Sequence, residues 1–256
     1  MSYENIKVEK KGNIAIVTID HPPANAWNLA TTTDFEKAVA DVETDKDVRV
    51  VILTGAGEKC FSAGFDVSDA ANGHLTGPKG CEIWRKLDRF EKPVIAAING
   101  FALGGGLELA LCCHFRIMVD APKAKVGLTE LNLGIIPGWG GTQRLMNVIG
   151  KAKALDMILF SKKIGAQEAL EAGLINQIST PETLMDDAMA LAETLAARPP
   201  IAVGAVLKAM SAGQYEGIDK GLAVELEGSG KVSGSKDSIE GFTAFLEKRA
   251  PNFTGE

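Results

Sequence analysis

Three almost unbroken apolar runs, each closed by a turn signal, mark the first hundred positions. Ile14–Ile19 (IAIVTI) ends at His21-Pro22-Pro23, Val48–Leu53 (VRVVIL) ends at Thr54-Gly55-Ala56-Gly57, and Pro93–Ile98 (PVIAAI) turns at Asn99-Gly100. Runs this short and this apolar predict strands covered on both faces. Between them, Thr31–Val42 sets Phe35, Ala38, Val39 and Val42 at helical spacing, with Thr33 or Asp34 as the cap. Cys60–Asp66 is short and rich in small residues. Asn72–Gly80 (NGHLTGPKG) reads as a mobile loop ahead of an amphipathic helix over Cys81–Phe90, and Phe115–Val119 reads as a further strand. The recurring strand–strand–helix unit predicts an α/β fold, and favours stacked turns over a doubly wound sheet.

From Lys151 the pattern becomes almost wholly helical. Segments at Ala152–Phe160, Ala166–Ala172, Glu182–Ala197, Ile201–Ala212, Gly217–Ser229 and Ser235–Lys248 repeat the 3.6-residue period, and Pro199-Pro200 breaks the series. A chain of 256 residues is near the upper end of what one core supports. The expected organisation is a core over 1–195 with a helical region over 196–256 that packs on it and on neighbouring subunits.

Composition narrows the function classes. The chain is 46% hydrophobic and 23% charged, with a net charge of −6 and a pI near 5.3. That balance argues against a general nucleic-acid or anionic-membrane surface. The four cysteines (Cys60, Cys81, Cys112, Cys113) show neither metal nor redox spacing; Cys112 and Cys113, inside an apolar helix pattern, are expected as buried free thiols, and a reducing, cytoplasmic compartment is expected. MSYENIKVEKKG has no apolar signal core, and no apolar run reaches membrane-spanning length.

The stretch from Asn99 to Arg144 carries the chemistry. Gly104-Gly105-Gly106 follows a buried strand and opens a helix from about Leu107 to Cys113. Such glycines let backbone approach a ligand and leave N–H groups aimed at the space ahead of the helix. One such donor on a developing oxyanion contributes about 3–4 kcal/mol to a transition state. Tight helix–sheet packing is the competing explanation. The loop Phe61-Ser62-Ala63-Gly64-Phe65-Asp66 can supply a second donor.

Glu108, in the first turn of the glycine-led helix, and Glu130, beside Val126-Gly127-Leu128-Thr129, are carboxylates in apolar surroundings. A dipole-complementing role for one and a solvated loop position for the other are the structural alternatives. Together they suit water addition across a double bond conjugated to a carbonyl. That reaction needs a base for the water, an acid for the α-carbon and donors for the enolate oxygen. Two neighbouring carboxylates repel when both are ionised, so one keeps its proton near neutrality.

Other templates fail. Ser62 lacks a G-x-S-x-G elbow and no motif places His21, His74 or His114 as its base. There is no Walker loop, no G-x-G-x-x-G after a strand, and no zinc-ligand spacing. No metal or redox cofactor is therefore expected.

At these residues the chain resembles the crotonase (enoyl-CoA hydratase/isomerase) superfamily. The resemblance runs through PPANA at 22–26, VVILTGAGEKCFSAGFD at 50–66 and PVIAAINGFALGGGLELA at 93–110. It continues in LGIIPGWGGTQRL at 133–145, IGAQEALEAGLIN at 164–176 and GFTAFLEKRAPNF at 241–253. It implies a spiral of ββα turns with C-terminal helices that build homotrimers, commonly paired into hexamers. By position it puts the oxyanion-hole N–H groups on Phe65 and Gly105 and the catalytic glutamates on Glu108 and Glu130. Glu108 would help activate water, and Glu130 would exchange the α-proton.

The loop Ala63, Gly64, Phe65, Asp66 and Val67, with Ala24, would line the coenzyme A groove. Gly138 and Trp139 would shape the acyl site, and Lys248 would meet a phosphate of coenzyme A. Coenzyme A enters as part of an acyl-CoA substrate, with no further cofactor. The implied activity is hydration of a 2-enoyl-CoA to a 3-hydroxyacyl-CoA in fatty-acid or related acyl-CoA degradation. Within the same resemblance stand an isomerase or a hydratase of cyclic or branched acyl-CoAs, and more remotely a CoA- or RNA-binding protein.

Overall fold

The structure, a computed structural model, describes residues 3–256. The chain opens with an antiparallel hairpin of β1 (Ile6–Lys11) and β2 (Ile14–Ile19), turned at Gly12, whose φ is +57°. Helix α1 (Leu29–Thr44) follows. Its cap is Asn28 rather than Thr33 or Asp34: the Asn28 side chain accepts from the Thr31 N–H at 2.8 Å. The helix therefore starts earlier than the apolar spacing suggested, burying Thr31 and Thr32 in its first turn.

Three turns of the predicted strand–strand–helix unit come next. β3 (Val50–Gly55) leads to β4 (Cys60–Ser62) and, through a 3-10 helix at Val67–Asn72, to α2 (Gly73–Leu87). β5 (Val94–Ile98) leads to β6 (Phe101–Leu103) and α3 (Gly105–Cys112). β7 (Phe115–Val119) leads to β8 (Val126–Gly127), a 3-10 helix at Glu130–Leu133 and α4 (Gly141–Ile149). The first strand of each turn joins one sheet and the second joins another. The larger sheet runs β1-β2-β3-β5-β7-β9, where β9 is Gln177–Ser179, and the smaller runs β4-β6-β8. Every pairing between these strands except the first hairpin is parallel. This is the stacked-turn architecture, and it explains the apolar runs: β3 and β5 are buried along their whole length.

The segment Asn72–Gly80 is not a loop. It forms the first half of α2 despite Gly73, Gly77, Pro78 and Gly80. Tertiary contact overrides local propensity here. Thr76, Gly80, Ile83, Trp84 and Leu87 make one buried stripe, and the Trp139 Nε1–H donates to the Gly77 carbonyl at 3.0 Å. A Cβ on Gly80 would lie 2.6 Å from the Trp139 ring, so glycine is what lets the helix dock. Trp27, Phe35, Trp84 and Trp139 form a continuous aromatic cluster with adjacent ring centroids 4.9–5.8 Å apart. Each such buried ring contributes roughly 1.5–3 kcal/mol of apolar burial.

Helices α5 (Lys151–Leu159), α6 (Ala166–Glu171) and α7 (Leu184–Ala196) complete the core side. After Pro199 the chain turns by 103° into α8 (Pro200–Glu216), followed by α9 (Ile218–Val232) and α10 (Lys236–Glu247). These last helices carry exposed apolar side chains, among them Met210, Leu222, Leu226, Phe242, Phe245 and Leu246. Among the described residues no single helix is long and apolar enough to cross a membrane.

Candidate active site

The three glycines opening α3 each answer to a different neighbour. Gly104, at φ +53°, donates to the Gly127 carbonyl at 2.9 Å, and a Cβ on it would come within 3.1 Å of the Glu130 carboxylate. A Cβ on Gly105 would lie 2.3 Å from the Trp139 ring, and one on Gly106 would lie 2.2 Å from the Ser62 carbonyl. Close packing requires all three, and the contact at Gly104 sets the helix start against Glu130. α3 begins at Gly105 rather than Leu107, which puts the open N–H groups on the glycines themselves.

The loop after β4 lies against this helix start. Gly64 has φ +88°, and a Cβ there would sit 2.8 Å from the Gly105 nitrogen. A parallel bridge pairs Trp27 with Phe65, using the Gly64 carbonyl and the Asp66 N–H. Among the described residues, the Phe65 and Gly105 N–H groups donate to no protein acceptor. Two open backbone donors therefore flank one space.

Glu108 lies one turn into α3 and is 2% exposed. Its Oε1 accepts from the Trp139 N–H at 2.8 Å and the Gly141 N–H at 2.7 Å. Burial pushes its carboxyl up to about 7, reinforced by the Glu130 charge and opposed by those two N–H groups and by Arg144. The dipole-complementing alternative does not describe a carboxylate this deeply buried. Glu130 opens the 3-10 helix Glu130–Leu133. Its Oε2 is buried with no hydrogen-bond partner, and burial raises its carboxyl above the usual range. A freely solvated loop position is therefore excluded for it as well.

Other expected residues fall as follows. The Ala63 N–H donates to the Ala24 carbonyl at 3.0 Å, setting those two residues side by side at the loop. The Asp66 side chain accepts from the Ser68 N–H at 3.0 Å and caps the short helix that begins at the exposed Val67. Gly138 is exposed, whereas Trp139 is buried between Gly80 and Gly105. Its indole belongs to the aromatic cluster, and its backbone serves Glu108. Lys248 ends α10 in a left-handed conformation, φ +55°, with its side chain exposed.

Ser62 is fully buried, and its Oγ accepts from the Gly64 N–H at 3.2 Å. Burial holds His114 down at about 4, with Nδ1 accepting from the Val94 N–H at 2.9 Å, and among the described residues no histidine hydrogen-bonds the Ser62 hydroxyl. All four cysteines are free, with Cys112 and Cys113 buried.

Residues 9–256 match the Enoyl-CoA hydratase/isomerase family. The chain belongs to this family. Similar family members include the Short-chain-enoyl-CoA hydratase of Clostridium acetobutylicum, 42% identical over 97% of each chain. The Crotonyl-CoA hydratase of Syntrophomonas wolfei is 40% identical over 99% of each. The crystal structure of an enoyl-CoA hydratase from Bacillus anthracis superposes with a TM-score of 0.94 at 38% identity. It covers 99% of this chain and all of the other. Membership makes an acyl-CoA the substrate class and matches the mixed α/β spiral described above.

Sequence reasoning missed the partners of Glu108. Trp139 and Gly141 act through backbone N–H groups, and the only trace they leave is the glycine spacing of Gly138-Trp139-Gly140-Gly141. Arg144, whose Nη1 donates to the Trp139 carbonyl at 2.6 Å, was missed as well.

Proposed function

We propose that the protein is an enoyl-CoA hydratase that adds water across the 2,3 double bond of a 2-enoyl-CoA to give the 3-hydroxyacyl-CoA. The observation that carries this reading is the pair of raised carboxylates, Glu108 and Glu130, beside two unengaged backbone donors. The Phe65 and Gly105 N–H groups hold the thioester oxygen as enolate charge develops on it. Glu108 is the general base that takes a proton from the attacking water, and Glu130 is the general acid that delivers one to the α-carbon. Water is consumed with no net change of oxidation state, so the residues balance the reaction without a redox carrier.

Coenzyme A enters as part of the substrate, along the loop Ala63–Val67 and Ala24, with Lys248 for a phosphate. The exposed apolar faces of α9 and α10 support a homotrimer or a hexamer built from two of them, in which the 196–256 region packs on neighbours. The free thiols support a reducing, cytoplasmic location.

The test is loss of the conjugated enoyl-thioester absorbance with crotonyl-CoA, beside Glu108→Ala. Rapid loss in the wild type that disappears in the variant supports the reading. No loss with any 2-enoyl-CoA, while a 3-enoyl-CoA is converted, replaces hydratase by isomerase.

A further inference from the structure

Behind the Glu108 carboxylate lies a chain of polar groups, buried at Arg144 and partly buried at Asp88 and Tyr215, that the reaction itself does not require. Arg144 on α4 donates from Nη1 to the Trp139 carbonyl at 2.6 Å, while the N–H of that same residue binds Glu108. Gly140, at φ +99°, wraps the turn on the guanidinium, and a Cβ there would lie 2.1 Å from Nη1. The Arg144 Nε sits 3.1 Å from Asp88 Oδ2, both side chains about nine-tenths buried (10% and 12% exposed). The same Asp88 oxygen accepts from the Tyr215 hydroxyl on α8, and the Arg89 guanidinium lies 5.2 Å over the Tyr215 ring. Burying an ion pair costs desolvation that its attraction barely repays, so stability alone is a weak reason for one.

We propose that Asp88, Arg144 and Tyr215 are positioning residues for Glu108, clamping the Trp139–Gly141 turn so that its two N–H groups fix one carboxylate oxygen and leave the other for water. Oε1 takes both N–H bonds, and among the described residues no group donates to Oε2. Each anchor belongs to a helix: Asp88 caps the C-terminus of α2, Arg144 lies within α4, and Tyr215, on α8, ties Asp88 to the C-terminal helices. The charged and titratable groups facing Glu108 are Glu130 from the 3-10 helix, Arg144 from α4 with Asp88 and Tyr215 behind it, and Cys112 on its own helix. Arg144 is the cation among them, so its removal favours the protonated carboxyl. Misplacing a reacting group by about 1 Å costs up to ~10²-fold in rate, and a clamp guards against that.

This inference rests on the hydratase reading, and the test separates the two. In the full-length protein, crotonyl-CoA hydration is followed from pH 5 to 9 for Arg144→Met, Arg144→Lys, Asp88→Asn and Tyr215→Phe. The Glu108 carboxyl is titrated independently by its infrared band, assigned by its loss in Glu108→Gln.

Arg144→Met is expected to lose roughly 10-fold or more in kcat with KM within about threefold, and to titrate Glu108 at higher pH. Arg144→Lys keeps the charge and hence the titration, and recovers part of kcat. Asp88→Asn loses roughly 3- to 10-fold and Tyr215→Phe less than about threefold. An unmoved Glu108 titration in Arg144→Met overturns the proposal, whether kcat is retained or falls with thermal stability as for a simple staple. Should Arg144→Met fail to fold, wild-type kcat in both Arg144→Lys and Asp88→Asn overturns it instead. A wild type inert toward every enoyl-CoA removes the hydratase reading, and the infrared titration still decides the clamp.

Discussion

The two carboxylates of the site stand in opposite kinds of surroundings. Glu108 is gripped: it sits on a regular helix, receives two backbone hydrogen bonds on one oxygen, and is closed in by α3 and α4. Glu130 is loosely held: it opens a four-residue 3-10 helix, one oxygen has no partner, and Leu133, Ile135 and Ile136 just beyond it are exposed. Burial raises both carboxyls, Glu108 to about 7 and Glu130 above its ordinary range. The difference suits a division of labour. A group that orients water needs a fixed direction, whereas a group that reaches an α-carbon benefits from an unengaged oxygen.

The sharpest way to break this comparison is to neutralise each carboxylate in turn. Glu108→Gln and Glu130→Gln are each expected to slow hydration by roughly 10²–10⁴-fold. A Glu130→Gln enzyme within about threefold of wild type would leave a single working carboxylate. The next effect comes from crowding the grip on Glu108. Gly105→Ala puts a methyl 2.3 Å from the Trp139 ring, so the ring and its backbone must shift. A stability loss of about 1–3 kcal/mol with a lower kcat is expected, and unchanged urea midpoints would show that the cluster yields freely.

Stability against pH sharpens the same contrast. The Glu108 carboxyl rises from an ordinary 4.5 to about 7 on folding, so the folded state holds its proton longer. The associated stability is present below about pH 4.5 and is lost as pH rises through about 7. Glu108→Gln keeps an acceptor for the two N–H groups and does not titrate. Denaturant melts should therefore find it about 1–3 kcal/mol more stable than wild type at pH 8, and no different at pH 4. The smallest effect belongs to the exposed flank of Glu130. Ile136→Ser is expected to change the stability of the isolated chain by less than about 0.5 kcal/mol, and a larger loss in the assembled protein would mean that a neighbour covers it.

The glycine-led helix, the apolar strands and the two glutamates were legible in the sequence because each depends on a local pattern: turn residues, continuous burial, charge among leucines. The start of α2 was not. Its Gly and Pro content speaks for a loop, and tertiary contact, including the docking of Trp139 against Gly80, makes it a helix. Strand β1 went unread because IKVEKK is charged and largely exposed, and it forms by pairing with β2. Within the site the same divide holds. Side-chain chemistry announced Glu108, but the amides of Trp139 and Gly141 that hold it carry no identity of their own. Arg144, read only as part of a motif, finds its role through Asp88 and Tyr215, 56 and 71 positions away in the chain.

The rim of the larger sheet decides how the molecule can meet others. On one side β1 presents Lys7, Lys10 and Lys11, with Lys10 drawn onto Asp45 and Asp47; on the other, β9 is three residues long. A strand of charges and a strand too short to template another both refuse an incoming extended chain. Growth by hydrogen bonding along the larger sheet, the route that leads toward fibres, is thus opposed at both of its rims. The exposed apolar side chains lie instead on the C-terminal helices, where side-chain contacts can close on themselves and stop.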